Sequence, residues 1–333
     1  MTVITFYYRR VDDPDGNISR HLQELGKELD FTPVDICLDD NPDLMNRLQE
    51  EASSIQIGPY RLRFPFEEVD IRIAVRAYQE SRASRLEDSP QAKSAANNAT
   101  RISGLERFSY WLSNNYVWFI TAILVLFIGL PLLAPVLMKE DHKTPAQVIY
   151  RVYSVFCHQL AFRSYFFYGE QAFYPRELAG IPDILTYEEV TGRSAVDTAY
   201  ARAFEGNDLL GYKVGICERD LAIYGSLIMA GFLFQLTGKK IKAIPWYWWV
   251  ILAIIPIGLD GGSQLFSLGG NWPSWFPIRE STPLFRTITG ALFGLVTAWY
   301  VYPMMEESML DLRVNLARKL AIKKKLMIKE KSL

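Results

Sequence analysis

The residues of this sequence that could do chemistry gather in its C-terminal two thirds, where thiol and imidazole groups meet a carboxylate. Cys157 and His158 stand side by side in an aromatic segment, and Cys217 and Asp220 open a later hydrophobic run. Two thiols, an imidazole and a carboxylate form a ligand set suited to a zinc-like ion. The sequence therefore predicts a metal site at these four residues, with a Cys217 thiolate favoured by its place at a helix start. A Cys157–Cys217 disulfide and unpaired structural thiols are the alternatives.

Further polar residues stand where the apolar segments end. Asp260 closes one such segment, in the run DGGSQ, and Arg286 stands at the entry to the next. Ionisable residues near membrane depth are costly, so they tend to be functional or paired. His158, Asp260 and Arg286 are therefore the candidates for a catalytic role, and an Asp260–Arg286 ion pair is the structural alternative. Other polar residues predicted on the same side of the membrane are Gln159, Arg163, Arg219 and Gln264.

The composition divides the chain into two unlike parts. Of its 333 residues 50% are hydrophobic, yet residues 1–107 are charged and soluble in character, whereas most of the remainder is apolar. A net charge of −1, without a basic aromatic-interleaved run, predicts no nucleic-acid partner. Three cysteines are too few for a disulfide scaffold. The N-terminus lacks the apolar core of a signal peptide, so the first part is expected in the cytoplasm.

Residues 1–81 carry the strand and helix patterns of one small α/β domain. Runs of β-branched and aromatic residues predict strands, and leucines at helical spacing predict helices. Gly58-Pro59 predicts the turn of a hairpin. The predicted elements are strand Val3–Tyr8, helix Ile18–Leu29, strand Phe31–Leu38, a helix from Asn41 through Ala52, hairpin Ser54–Phe64 and helix Val69–Ser81.

This β-α-β-α-β-β-α order resembles the thioredoxin fold, and the runs ITFYYR, PVDICLDDNPDLMNRL and IGPYRLRFPF are similar to glutaredoxin-like proteins. The resemblance implies a cysteine at the first helix, but residues 12–17 contain no sulfur. Without a thiolate at a helix N-terminus, thiol–disulfide exchange is not expected. Cys37 falls inside a strand and is predicted to be part of the core. We interpret the domain as a redox-silent docking or regulatory module, with a cytoplasmic protein as its partner.

Four apolar segments follow a polar linker at residues 82–108. Segments near the roughly 20 residues that cross a bilayer predict a membrane domain at residues 109–305, with an outer-face segment at 139–220. The predicted fold class is α+β and multidomain, a thioredoxin-like domain joined to a four-helix transmembrane bundle. The predicted spans are about 116–138, 221–238, 244–259 and 286–305, followed by a basic tail at 306–333.

Basic residues predict how the spans are oriented. Three lysines lie between residues 238 and 243, two arginines precede the first span, and the tail is rich in lysine. The positive-inside rule places all three regions and both termini in the cytoplasm of a bacterial plasma membrane. Residues 139–220 and 260–283 then lie outside, which brings the polar clusters to one outer face. The tail is expected to meet anionic membrane lipid.

The motifs at this face resemble a family of bacterial and archaeal four-helix membrane proteins without a characterised activity. The family joins Cys-His-Gln, Arg-Ser-aromatic, a Cys-x-Arg-Cys at a helix start, Asp-Gly-x-x-Gln and Arg-x-x-Thr-Gly. The matching runs, over roughly residues 145–305, are CHQLAFRSYFFYGEQ, CERD, LDGGSQ and RTITG. The last cysteine of the third motif is Asp220 here, and an insertion at 174–211 separates the cysteine clusters. The resemblance implies a fold and site positions but no reaction.

Together these features predict a polytopic membrane protein that acts as a scaffold or sensor, with its Cys/His site coupled to the N-terminal domain. Zinc is the expected cofactor, and membrane lipid and a cytoplasmic protein are the expected partners. A membrane enzyme acting on a phosphorylated or carboxylated lipid is the first alternative, with Arg163, Arg219 and Arg286 binding the headgroup. A transporter subunit is the second, although the apolar segments contain few polar residues at their centres.

Overall fold

The computed structural model describes residues 2–40, 45, 53–87, 103–268, 275 and 278–331. The chain is α+β and divides into two units, Met1–Asn115 with Glu307–Leu333, and Tyr116–Glu306. Each unit has its own buried apolar clusters.

A four-stranded sheet forms the centre of the first unit. Strand β1 (Thr2–Tyr8) pairs in parallel with β2 (Phe31–Cys37) and antiparallel with β3 (Ser54–Ile57). Strand β4 (Tyr60–Arg63) completes the hairpin with β3 and gives the order β2-β1-β3-β4. Helices α1 (Asn17–Glu28) and α2 (Glu68–Glu87) lie before β2 and after β4 in the chain. One face of the sheet is buried with leucines of α1 and with Ile71 and Val75 of α2.

The predicted strands, hairpin and two of the helices of this unit are confirmed, with two differences. Helix α2 continues to Glu87 rather than ending at Ser81, because arginine, alanine and leucine after Ser81 favour helix. Cys37 is half-buried rather than in the core, since it lies on the same side of β2 as the half-buried Asp35. The predicted helix at residues 41–52 falls outside the described residues, apart from Met45.

Long helices dominate the rest of the chain. In chain order the helices are α3 (Gly104–Lys139), α4 (Lys143–Tyr153), α5 (Tyr187–Thr191), α6 (Thr198–Ala203), α7 (Glu218–Leu236), α8 (Trp246–Ser267) and α9 (Pro283–Lys331). Among the described residues, three stretches are long and apolar enough to cross a membrane: Gly104–Lys139, Trp246–Ser267 and Pro283–Arg313. Helix α7 is not one of them, because it is short and carries three charged residues in its first turn.

Helix α8 extends beyond the predicted end of its span at Leu259. Asp260 and Gln264 were expected in a connection, but they occupy the last turns of the helix. Both side chains are buried and hydrogen-bonded within the protein, so a polar run that resembles a loop in sequence remains helical.

The segment between α3 and α7 folds around a small core of its own. Strands β5 (Phe166–Phe167), β6 (Gly206–Asn207) and β7 (Gly211–Lys213) form a sheet of order β5-β7-β6. Phe162, Phe166, Tyr174 and Tyr187 are buried in one cluster. The insertion at 174–211 is therefore part of a folded structure that also contains the segment after Cys157.

Close packing of α7 against α9 positions the start of both helices. A Cβ atom on Gly290 would lie 2.7 Å from the carbonyl oxygen of Arg219, and one on Gly294 would lie 2.4 Å from that of Ile223. The absence of a Cβ atom at these two glycines therefore allows the two helices to approach closely, whereas a Cβ atom on Gly258 would meet nothing within 4 Å.

Candidate functional site

Two prolines in α3 provide the attachment points of the site. Proline has no N–H, so Pro131 and Pro135 leave the carbonyl groups of Phe127 and Pro131 without their usual helical donors. The Tyr153 hydroxyl donates to the Phe127 oxygen at 2.7 Å, and the Gly215 N–H donates to the Pro131 oxygen at 3.1 Å. The end of α4 and the approach to α7 are thereby fixed to α3, each next to a cysteine.

Gln159 joins the two cysteine-bearing segments. Its side-chain amide donates to the carbonyl oxygens of Tyr150 at 3.0 Å and Gly215 at 2.8 Å, and its own carbonyl accepts from Lys213 Nζ at 2.9 Å. The residue is buried and has a φ of 52°, in the left-handed region. A non-glycine residue accepts this conformation where surrounding bonds impose it, and here those bonds hold Cys157 near Cys217.

Cys157, Cys217 and Asp220 form the centre of the site. One ligand atom from each residue lies within 4.8 Å of the others, and the cysteines are free thiols. Cys217 is the N-cap of α7, where its Sγ atom accepts the Asp220 N–H at 3.5 Å. The Cys157 Sγ atom accepts the Gln159 N–H at the same distance. Asp220 follows Cys217 by three residues, a spacing that places both residues on one face at the helix start.

The two thiols lie close together, and each affects the ionisation of the other. The neighbouring Cys217 thiol, together with the Gln159 N–H, lowers the pKa of Cys157. The Cys157 thiol, burial and the nearby Asp220 carboxylate raise the pKa of Cys217. The neighbouring thiol and carboxylate thus oppose the stabilisation of a Cys217 thiolate that the helix N-terminus provides.

A cavity of about 290 Å³ beside the two cysteines is lined by most of the other predicted residues. His158 lines this cavity, but its side chain is exposed and lies outside the group formed by Cys157, Cys217 and Asp220. The remaining predicted polar residues that line the cavity are Gln159, Arg163, Arg219, Gln264 and Arg286.

Asp260 lies behind the cavity at the centre of a buried polar cluster. It accepts from Arg219 at 2.5 Å, from Arg279 at 3.1 Å and from the Ser281 hydroxyl at 2.7 Å. The predicted Asp260–Arg286 ion pair is not present, since Arg286 points to other carboxylates. Asp260 therefore positions Arg219, which lines the cavity.

Glu280 is the second centre of this cluster. It accepts from Arg163 at 3.2 Å and from Arg176 at 3.0 Å, and it also accepts from Gln264 and Arg286. Because Arg176 belongs to the insertion at 174–211, the insertion contributes directly to the surroundings of the site. Nothing in the local sequence marked Arg176 for this role.

Glu218 was also missed, although it stands in the run CERD next to Cys217. Its side chain is buried and accepts from Arg286 at 3.4 Å, while its Oε1 atom has no hydrogen-bond partner among the described residues. Burial raises the pKa of Glu218 to about 7, against the opposing effect of Arg286. The only signal in the sequence was its position in the first turn of a helix.

Comparisons with known proteins agree with this architecture. Residues 207–300 match a family described as "Predicted membrane protein (DUF2085)". The chain is 26% identical over 161 residues to the uncharacterized protein MJ1492 of Methanocaldococcus jannaschii, which covers 48% of this chain and 69% of that protein. No solved structure matches. The resemblance to a membrane protein family without an assigned function is confirmed, and the matched region contains Cys217, Asp220, Asp260 and Arg286.

The site is suited chemically to a soft divalent cation. Two sulfur atoms and a carboxylate oxygen supply three ligands, and the cavity beside them leaves room for a fourth. The backbone N–H groups on both sulfur atoms would stabilise thiolate charge once the protons are displaced.

Proposed function

We propose that this membrane protein is a scaffold or sensor in which Cys157, Cys217 and Asp220 bind a zinc-like divalent ion. The observation that carries the proposal is the convergence of their ligand atoms within 4.8 Å, although Cys157 is distant in sequence from the other two. His158, which lines the same cavity, is the proposed fourth ligand, with a water molecule as the alternative.

A metal at this position would add a direct link between two segments that Gln159 already connects. Cys157 follows α4, and Cys217 begins α7, so occupancy would couple the segment between α3 and α7 to a membrane helix. Such a link is the physical basis of sensing, because the bound ion favours one arrangement over others. An enzyme acting on an anionic lipid is less well supported, because Arg163, Arg219 and Arg286 each already pair with a carboxylate.

We further propose four membrane spans, with α7 as the fourth beside the three long apolar helices. Past its charged first turn, α7 is uncharged to Leu236, and the lysine-rich connection that follows would lie in the cytoplasm with both termini. The site would then face the outside of a bacterial plasma membrane, where a disulfide between the two thiols is the competing state.

The N-terminal unit is proposed to be a thioredoxin-like docking module for a cytoplasmic protein. The order β2-β1-β3-β4, with β1 and β2 parallel, supports this fold. At the start of α1, the Asp13 carboxylate accepts the N–H groups of Ile18 at 3.1 Å and Ser19 at 3.2 Å. A carboxylate thus occupies the position where a redox enzyme of this fold would stabilise a thiolate.

Metal analysis of the full-length protein, purified in detergent under reducing conditions without chelators, tests the proposed function. We expect about one zinc ion per chain in the native protein and in the control variant Cys37→Ser. Cys157→Ser, Cys217→Ser and Asp220→Asn should each lose most of it. Equal zinc in the Cys157→Ser and Cys37→Ser variants would refute the site. A native protein without zinc, whose cysteines are oxidised when isolated without reductant, would favour the disulfide.

A further inference from the structure

A second cavity, unrelated to the cysteine site, lies between α7 and α9 and has a volume of about 470 Å³. Its walls are almost wholly apolar and include Leu233, Phe234, Ile241, Leu292 and Tyr302. The volume lies within the range of ordinary ligand pockets. A cavity of this size between two proposed membrane helices is large enough to hold part of a flexible hydrocarbon chain.

The polar groups at the edge of the cavity are already used within the protein. The Trp299 indole N–H donates to the Lys242 carbonyl at 3.1 Å, and the Tyr302 hydroxyl donates to the Leu227 carbonyl at 3.2 Å. A polar ligand would therefore leave its own groups without partners inside the cavity, at a cost in free energy. The chemistry of the walls favours an alkyl chain.

A cationic loop closes one end of the cavity. Ile241 lines the cavity, and its chain neighbours Lys240 and Lys242 are both exposed. The adjacent Lys239 is held by Glu306 at 3.6 Å and lies over the Tyr116 ring. The bond from Trp299 attaches the backbone at Lys242 to α9, so the two exposed lysines lie on a loop that is tied to the wall of the cavity.

The aromatic residues that follow this loop indicate its depth. Trp246, Tyr247 and Trp248 begin α8 and are exposed. Such residues prefer the level of the lipid headgroups. Lys240 and Lys242 would then meet phosphate groups, while Leu233 and Leu292 face the acyl region.

We propose that this surface is a binding site for one anionic phospholipid, with an acyl chain in the cavity and the phosphate at Lys240 and Lys242. Charge complementarity selects the headgroup, since each lysine near a membrane surface favours an anionic lipid. The apolar walls distinguish the site from one for free phosphate, because phosphate would not occupy an apolar cavity. This proposal is independent of the metal site.

Lipid retention by the full-length protein in detergent tests the proposal. The protein is incubated with phosphatidylglycerol or phosphatidylcholine, passed through detergent exchange, and its bound lipid is counted by native mass spectrometry. We expect phosphatidylglycerol to be retained in preference. Lys240→Gln and Lys242→Gln should each weaken that preference about fivefold, whereas Lys139→Gln and Lys143→Gln, which remove exposed charges elsewhere, should not.

The acyl chain is tested with a tryptophan placed in the cavity. Leu233 lines the cavity and is 55% exposed, whereas Leu236 on the same helix is 85% exposed and does not line it. Leu233→Trp should abolish retention, and Leu236→Trp should leave it unchanged; both variants are first checked for native thermal stability. Equal retention of the two lipids, equal effects of the two tryptophans, or displacement of the lipid by inorganic phosphate would each overturn the proposal.

Discussion

At the scale of single residues, the thiol pair behaves as one unit and not as two cysteines that happen to be near each other. Cys157 and Cys217 lie close together, and their interaction lowers the pKa of Cys157 and raises that of Cys217. Each sulfur also accepts a backbone N–H. A change at one cysteine therefore alters the state of the other.

The shared site predicts non-additive effects of substitution. Cys157→Ser and Cys217→Ser should lower the thermal unfolding midpoint of the metal-loaded protein by the same amount, and the double variant should be no worse than either single one. Thermal unfolding in detergent, with Cys37→Ser as control, measures this. If the two losses add, the cysteines are independent packing residues.

Lys213 predicts a pH dependence of stability. Its side chain is fully buried, its ammonium donates to the carbonyls of Gln159 at 2.9 Å and Arg202 at 2.7 Å, and burial lowers its pKa to about 7. Between pH 7 and the ordinary lysine pKa of about 10.4, the unfolded chain binds more protons than the folded one. Stability should therefore rise with pH in this window.

Replacement of this lysine should flatten that dependence. We expect the thermal midpoint of Lys213→Met to change less between pH 7 and 9.5 than that of the native protein, whatever its absolute stability. Lys139→Met, at an exposed lysine, should keep the native slope. The raised pKa of Glu218 acts below about pH 7, so it does not interfere. An unchanged slope in Lys213→Met would contradict the assignment.

At the scale of elements, the prolines of α3 and the segments that dock on it depend on each other. Tyr153→Phe should leave the Phe127 carbonyl without a donor, at a cost of about 1–3 kcal/mol. Pro131→Ala supplies the missing helical N–H, so the double variant Pro131→Ala/Tyr153→Phe should be more stable than Tyr153→Phe alone. Thermal midpoints of the four proteins form the cycle. Purely additive effects would show that the Phe127 carbonyl does not couple the two residues.

The sequence was sufficient to predict those elements whose pattern lies within a short run of consecutive residues. Periodicity found β1, β2, α1 and the hairpin, and the Cys217–Asp220 spacing followed from helix geometry. Asp260 was misplaced in a connection because its arginine partners, Arg219 and Arg279, come from other parts of the chain. The role of Arg176 could not be predicted for the same reason. In the sequence it resembles any solvent-exposed arginine, because its partner Glu280 lies far away along the chain.

At the scale of the whole molecule, the distribution of lysine predicts the orientation in the membrane. A cysteine introduced at Lys240 should react with an impermeant maleimide only after cells are permeabilised, because the basic connection is expected inside. Val196→Cys, at a residue 79% exposed in the segment between α3 and α7, should react in intact cells. The parent protein gives the background. Labelling of Lys240→Cys in intact cells would reverse the proposed topology.

X-ray absorption at the zinc edge of the reduced, full-length protein is the most direct measurement of the metal site. The arrangement of Cys157, Cys217 and Asp220 predicts two sulfur neighbours at about 2.3 Å, with nitrogen or oxygen neighbours at about 2.0–2.2 Å completing four-coordination. His158→Ala should leave the sulfur shell intact. A zinc ion with no sulfur neighbours would contradict the proposed site, because the metal would then be bound elsewhere on the protein.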